Sequence, residues 1–195
     1  MTHTLRLVLF FATLLLCSQA ISGDKAGGFT SDLLWQIGQV EKEVMSLEDA
    51  VPQEKFTWRP SEGVRSISEA YLHMAFGNYL LLKLAGFEPP AEAGWSMDMK
   101  KWEAGSTDKK AIAATLRMSF DHLRNVVGKV EASDLDREFD FFGDKITVRN
   151  GLMSAVGHLH EHLGQSIAYA RMNGVVPPWT AAEQMKEKAE KEKKN

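Results

Sequence analysis

Four stretches of this chain repeat apolar residues at steps of three and four, and each is fenced by proline or glycine. That period belongs to the α-helix, and it sets the fold before any other feature is considered. The first helix is predicted from about Ser31 to Leu47, where Leu34, Ile37, Val40, Val44 and Leu47 form one stripe before Pro52. The second starts at Ser66-Ile67-Ser68-Glu69, a capping box in which hydroxyl and carboxylate each satisfy a free backbone N–H. It continues through Ala70, His73, Met74, Gly77, Leu80, Leu81 and Leu84 to about Gly86, and Pro89-Pro90 blocks extension. The third spans about Asp108 to Val130 on Ile112, Leu116, Phe120, Leu123, Val126 or Val127, and Val130. The fourth spans about Arg149 to Asn173 on Leu152, Val156, Leu159 and Leu163, with Asn173-Gly174 and Pro177-Pro178 as its stop.

Four such helices can bury their stripes only against one another. The expected fold class is all-α, a four-helix bundle with one long crossover at residues 88–107. That crossover holds Trp95 and Trp102 and a short helical piece at Met97–Glu103. The loop F-T-W-R-P-S-E-G-V-R places Phe56 and Trp58 over one end of the core, with a ligand-facing Trp58 as the alternative. D-R-E-F-D-F-F-G-D-K-I-T-V-R alternates around a Gly-Asp turn, as a small hairpin or an extended connection.

At 195 residues and 44% hydrophobic content, the chain suits one domain with a substantial core. The net charge of -3, with no basic stripe interleaved with aromatics, implies no nucleic-acid partner. Residues 1–20 carry His3 and Arg6, then L-V-L-F-F-A-T-L-L-L, and close on Ser18-Gln19-Ala20. This is the pattern of a cleaved secretory signal, so an exported protein, periplasmic or extracellular, is expected. An uncleaved anchor is the alternative, although the run falls short of the roughly 20 residues of a membrane span, and no stable span is expected once it is removed. The only cysteine, Cys17, lies in this leader, and Leu16 before it does not fit a lipoprotein signal. A mature chain without cysteine can hold a metal only through N and O ligands. Residues 21–29 then form a spacer, 30–179 the bundle, and 180–195 a charged tail that extends as a solvated helix or frays.

The chemistry concentrates at G-H-L-H-E-H-L-G-Q, residues 157–165. His158 and His162, four apart on a helix, share a face with Ala155, Gln165 and Tyr169, while His160 points elsewhere. Two such imidazoles can chelate one metal ion, and a catalytic site normally adds a third protein ligand. His3 lies in the leader and His122 one position off its stripe, suited to a solvated or partly covered role, which leaves His73 as the best third candidate. On spacing alone, ligation and three separately satisfied hydrogen bonds weigh evenly. Glu69, one turn before His73, is a candidate second acceptor or base, though capping by itself explains it.

The segments W-R-P-S-E-G-V-R-S-I-S-E-A-Y-L-H-M-A (58–75) and H-L-H-E-H-L-G-Q-S-I-A-Y-A-R-M-N-G-V-V-P-P (158–178) resemble the two signature stretches of the DinB-like family of damage-inducible four-helix bundles. The resemblance covers most of the mature chain. It implies a histidine triad binding a divalent metal, with the family's second-helix histidine at His73 and its H-x-x-x-H pair at His158 and His162. Leu163 departs from the Arg that many members carry before Gly-Gln, which puts in doubt an anionic substrate or thiol cofactor relying on that charge. Three imidazoles admit Zn, Ni, Fe or Mn, since affinity follows the Irving–Williams series and supply decides.

Some relatives are thiol-dependent transferases or isomerases and others look like hydrolases, so a metal-dependent enzyme with a small-molecule substrate is the expectation. Gln165 would then orient a ligand or substrate, and Glu69 would serve as acceptor or base. The competing class is a non-catalytic metal-binding or interaction bundle. A haem protein is disfavoured because C-x-x-C-H is missing. A homodimer is compatible with apolar-faced helices.

Overall fold

The stripe of Ile37, Val40, Val44 and Leu47 folds as helix α1, Gly27–Ala50, in a computed structural model that describes residues 27–194. The leader and most of the spacer lie outside the described residues. α1 starts four residues before the predicted Ser31, because Phe29 also packs against the core. Its first fully committed core residue is Leu33, with Leu34 half-buried beside it.

Helix α2, Ile67–Leu84, begins where its capping box lies: the Ser66 hydroxyl accepts the Glu69 N–H at 3.3 Å, and Glu69 Oε2 accepts the Ser66 N–H at 2.7 Å. Both halves of that box are needed to satisfy the free N–H groups of the first turn. α2 is apolar almost all round, with Tyr71, Leu72, Met74, Phe76, Tyr79 and Leu82 buried, and such a helix must sit inside its neighbours.

The crossover holds a 3-10 turn at Ala91–Ala93 and then one short α-helix, α3, Met99–Glu103, capped by Asp98. Helix α4, Lys109–Lys129, follows with Asp108 as its cap, the carboxylate accepting the Ala111 N–H at 2.8 Å. Strands β1, Glu138–Phe141, and β2, Asp144–Thr147, pair antiparallel, so the connection before the last bundle helix is the hairpin. Its turn is Phe142-Gly143 rather than Gly143-Asp144: both residues have positive φ, 55° and 99°, as a two-residue hairpin loop requires. Helix α5, Val148–Met172, begins at a Thr147 cap.

Asn173 and Gly174, the latter at φ 77°, end α5, and Pro178 opens a further helix, α6, Pro178–Glu192, because a proline at the first helical position loses no hydrogen bond. Trp179 packs against the core while the charged remainder of α6 is exposed along α1. The charged tail is thus helical rather than frayed through Glu192.

Both α1 and α2 pack against α4 and against α5, which puts α1 and α2 on one diagonal of the bundle and α4 and α5 on the other. The two histidine-bearing helices, α2 and α5, are therefore neighbours. Ile112, Leu116, Phe120 and Leu123 of α4 are fully buried in the common core. Truncating any one of these to alanine in so dense an interior costs on the order of 2–5 kcal/mol. Among the described residues, no helix is long and apolar enough to cross a membrane.

Candidate metal centre

Where α2 crosses α5, His73 meets His158 and His162. Their ring centroids lie 5.0 Å (His73 and His158), 4.5 Å (His73 and His162) and 4.5 Å (His158 and His162) apart. Each ring offers one nitrogen to a common point, and these nitrogens all lie within 4.8 Å of one another. His162 is buried and the other two are half-buried. The two rings of α5 come together because they are four apart, and the third arrives because a neighbouring helix brings it.

His73 Nδ1 lies 2.7 Å from Oε1 of Glu103, the last residue of α3. A carboxylate can only accept, so the proton sits on Nδ1 and the Nε2 lone pair faces inward. There it stands 3.2 Å from His158 Nε2. Glu103 is held from its other side by Arg65, whose Nε and Nη2 donate to the two carboxylate oxygens at 3.0 and 3.1 Å. Neither Glu103 nor Arg65 was singled out by periodicity or motif. Glu103 lies 30 residues from His73 in the chain, and only the docking of the crossover unites them.

His162 Nδ1 is 2.9 Å from Gln165 Oε1, and Gln165 Nε2 donates to the Tyr169 hydroxyl at 3.0 Å. The Tyr169 ring in turn stands edge-on to Trp58 at 5.5 Å. The structure thus places Gln165 against a histidine of its own helix, and Trp58 in packing. Glu69 is committed at α2's start, with Oε2 in the capping box and Oε1 accepting Arg59 at 3.0 Å. Burial raises its affinity for a proton, but the Ser66 N–H and Arg59 outweigh that and hold the carboxyl below its usual range. The carboxylate that touches His73 is Glu103 and not Glu69.

Among the described residues, the buried Nδ1 of His158 has no hydrogen-bond partner. The seat of this ring is made by Gly77 of α2, where an added Cβ would fall 2.2 Å from His158 Cε1, far inside contact distance. Burial, with His162, His73 and Arg65 nearby, pushes the His158 imidazolium down to about 3. Burial and Arg65 also lower His73, against the opposing pull of Glu103. Both rings are consequently neutral at physiological pH, the state in which imidazole donates to a metal.

The donor set fits a divalent ion. Four-coordinate Zn²⁺ with Zn–N bonds of roughly 2.0–2.1 Å places its ligand nitrogens roughly 3.3 Å apart, close to the 3.2 Å separating the two Nε2 atoms. A cleft of about 180 Å³ opens beside Glu103, lined also by Thr57, Arg59, Ser68, Glu69 and Thr107. Of the other histidines, His160 is exposed on the far face of α5, and His122 is half-buried against Tyr79, 5.6 Å between ring centroids. His3 lies outside the described residues.

A sequence profile of the DinB superfamily matches residues 36–166, which includes all three histidines. No curated protein matches the sequence. Among solved structures, a DinB-like protein from Bacillus cereus superposes with a TM-score of 0.62 at 19% identity, covering 80% of this chain and 97% of that one. A DinB-like protein from Bacillus subtilis gives 0.56 at 20% identity, covering 73% and 92%. A conserved protein from Enterococcus faecalis gives 0.61 at 14% identity, covering 75% and 96%. At these identities the likeness is one of fold, and it spans nearly the whole of each of those chains.

Proposed function

This chain belongs to the DinB superfamily, and from that premise we propose that it binds one divalent metal ion through His73, His158 and His162 and uses it as a metal-dependent hydrolase or thiol transferase. The observation that carries this is the convergence of three imidazoles from two neighbouring helices, with two of them kept neutral by burial. When bound, a divalent ion supplies Lewis acidity, polarising an oxygen or a thiol and easing its deprotonation. Three protein ligands leave room for one more.

The chain's own residues would do the positioning. Glu103 and Gln165 each hold the Nδ1 side of one ring, which turns Nε2 of His73 and of His162 toward the common point. The cleft beside Glu103 carries Arg59, Ser68 and Thr57 as the groups that could hydrogen-bond a small substrate. Export through residues 1–20 belongs to the same proposal and weighs toward hydrolysis, because low-molecular-weight thiols are mainly cytoplasmic. A mature N-terminus at Ile21 in protein recovered outside the cytoplasm would establish it.

A second reading, a non-catalytic metal-binding bundle, is favoured by one observation. Both carboxylates beside the site are engaged, Glu103 by Arg65 and His73, and Glu69 by Ser66 and Arg59, so neither stands free as a base. The deciding experiment is elemental analysis of tag-free protein lacking residues 1–20, wild type beside His158→Ala. About one divalent metal per chain, lost in the variant, supports the site and opens hydrolase and thiol-transfer screens. A metal-free wild type that also fails to take up metal on reconstitution would sink it.

A further inference from the structure

The crossover does more than connect α2 to α4. Its residues Trp102 and Glu103, adjacent in the chain, meet Leu72 and His73, adjacent on α2: Trp102 Nε1 donates to the Leu72 carbonyl at 2.9 Å, and Glu103 Oε1 accepts from the His73 Nδ1–H at 2.7 Å. The indole fixes the position of α3, and Arg65 fixes the carboxylate by gripping both of its oxygens. Arg65 itself stands one residue before the Ser66 cap, so its backbone is set by the start of the ligand-bearing helix.

We propose that Glu103 is a positioning residue of the metal centre, and that the Arg65, Glu103 and His73 relay makes the crossover a functional part of that centre. This rests on the metal-binding reading above. Two geometric facts carry it. The carboxylate accepts from Nδ1, which leaves Nε2 as the only lone pair His73 can offer, and that Nε2 is the atom facing His158. The carboxylate is also pinned in a bidentate grip and 12% exposed, so it cannot swing away to free the ring. Metal-bound imidazoles commonly donate their second N–H to a carboxylate, which sets tautomer and ring angle, and removing such a partner typically weakens metal affinity ~10–100-fold. Here one ring, His73, would carry a charged partner on its Nδ1, a second, His162, the neutral Gln165, and the third, His158, none on its Nδ1 among the described residues.

The test uses Co²⁺ as the probe, titrated into tag-free, metal-free protein and followed through its visible absorption, with thermal unfolding of each protein measured beside it. Glu103→Ala should bind ~10–100-fold more weakly than wild type. Glu103→Gln, whose amide oxygen still accepts from Nδ1, should fall between them and shift the absorption band. Asp108→Ala, which removes the α4 cap, should lower the unfolding midpoint and leave affinity unchanged. Wild-type affinity in Glu103→Ala would overturn the proposal and leave the metal site standing. Equal losses in Asp108→Ala and Glu103→Ala would overturn it too, since the loss would then follow stability. A wild type that takes up no Co²⁺ would instead remove the metal reading, and this proposal with it.

Discussion

Two places in the bundle hold half-buried histidines against aromatic or imidazole rings, and only one resembles a metal site. At the crossing of α2 and α5, three imidazoles share one point and two of them have their outer nitrogen engaged. Against α4, His122 stacks on Tyr79, and the buried His122 Nε2, Tyr79 hydroxyl and Trp95 Nε1 have no hydrogen-bond partner among the described residues. Burial lowers the imidazolium in both places. What separates them is convergence, since a lone neutral imidazole among aromatic rings is a core residue and three together can hold a metal ion.

The largest effect should come from the histidine cluster itself. His162→Ala should lose stoichiometric metal, a greater loss than the ~10–100-fold that follows removal of an outer partner, while His122→Ala should keep it. Metal content after dialysis reads both, and equal retention would erase the distinction between the two regions.

Gly77 sharpens the comparison because its effect should change sign with its neighbour. Gly77→Ala drives a methyl into the His158 ring, an overpacking expected to cost ~1–3 kcal/mol. In a His158→Ala background the same change meets no ring and should stabilise α2 by ~0.5–1 kcal/mol, the ordinary gain of alanine over glycine inside a helix. Thermal melts of the four proteins form the cycle, and a loss of similar size in both backgrounds would mean that His158 is not seated on Gly77.

The pH dependence of the metal-free protein comes next. His158 titrates near 3 when folded and near 6.5 when unfolded, so the unfolded chain binds the extra proton between those values. Its contribution is fully present above pH 6.5 and is lost as pH falls toward 3. Between pH 6.5 and 4.5 that loss is on the order of 2 kcal/mol, and His158→Ala should show a flatter denaturant midpoint over the window. Glu48, buried and held up to about 7, acts with opposite sign: its stability is present below about 4.5 and is lost as pH rises through 7. The comparison is therefore made between variant and wild type at each pH.

The smallest effect belongs to the α4 region. His122→Phe keeps the stacking on Tyr79 and removes the unpartnered Nε2, so its stability should stay within ~1 kcal/mol of wild type or rise. A loss beyond 2 kcal/mol would show that this ring nitrogen has a partner after all.

The helices were legible because each carries its own period and its own stop. Ser66 and Glu69 name the start of α2, Asn173-Gly174 the end of α5, and His158 with His162 a shared face. The hairpin turn was legible only to within a residue, because Phe142 takes a positive φ that glycine, next to it, would adopt with less strain. Glu69 was a reasonable candidate from spacing, yet the cap and Arg59 claim both of its oxygens.

By itself the sequence determined the four bundle helices, their apolar faces and the pairing of His158 with His162, since all of these depend on residues within a turn or two of one another. Tertiary structure alone decided that α2 lies beside α5, that Gly77 makes room for His158, and that Glu103 reaches His73 under the hold of Arg65. Those contacts join residues 30 to 85 apart in the chain, and no local period records them. They follow from which buried faces fit together once the helices meet.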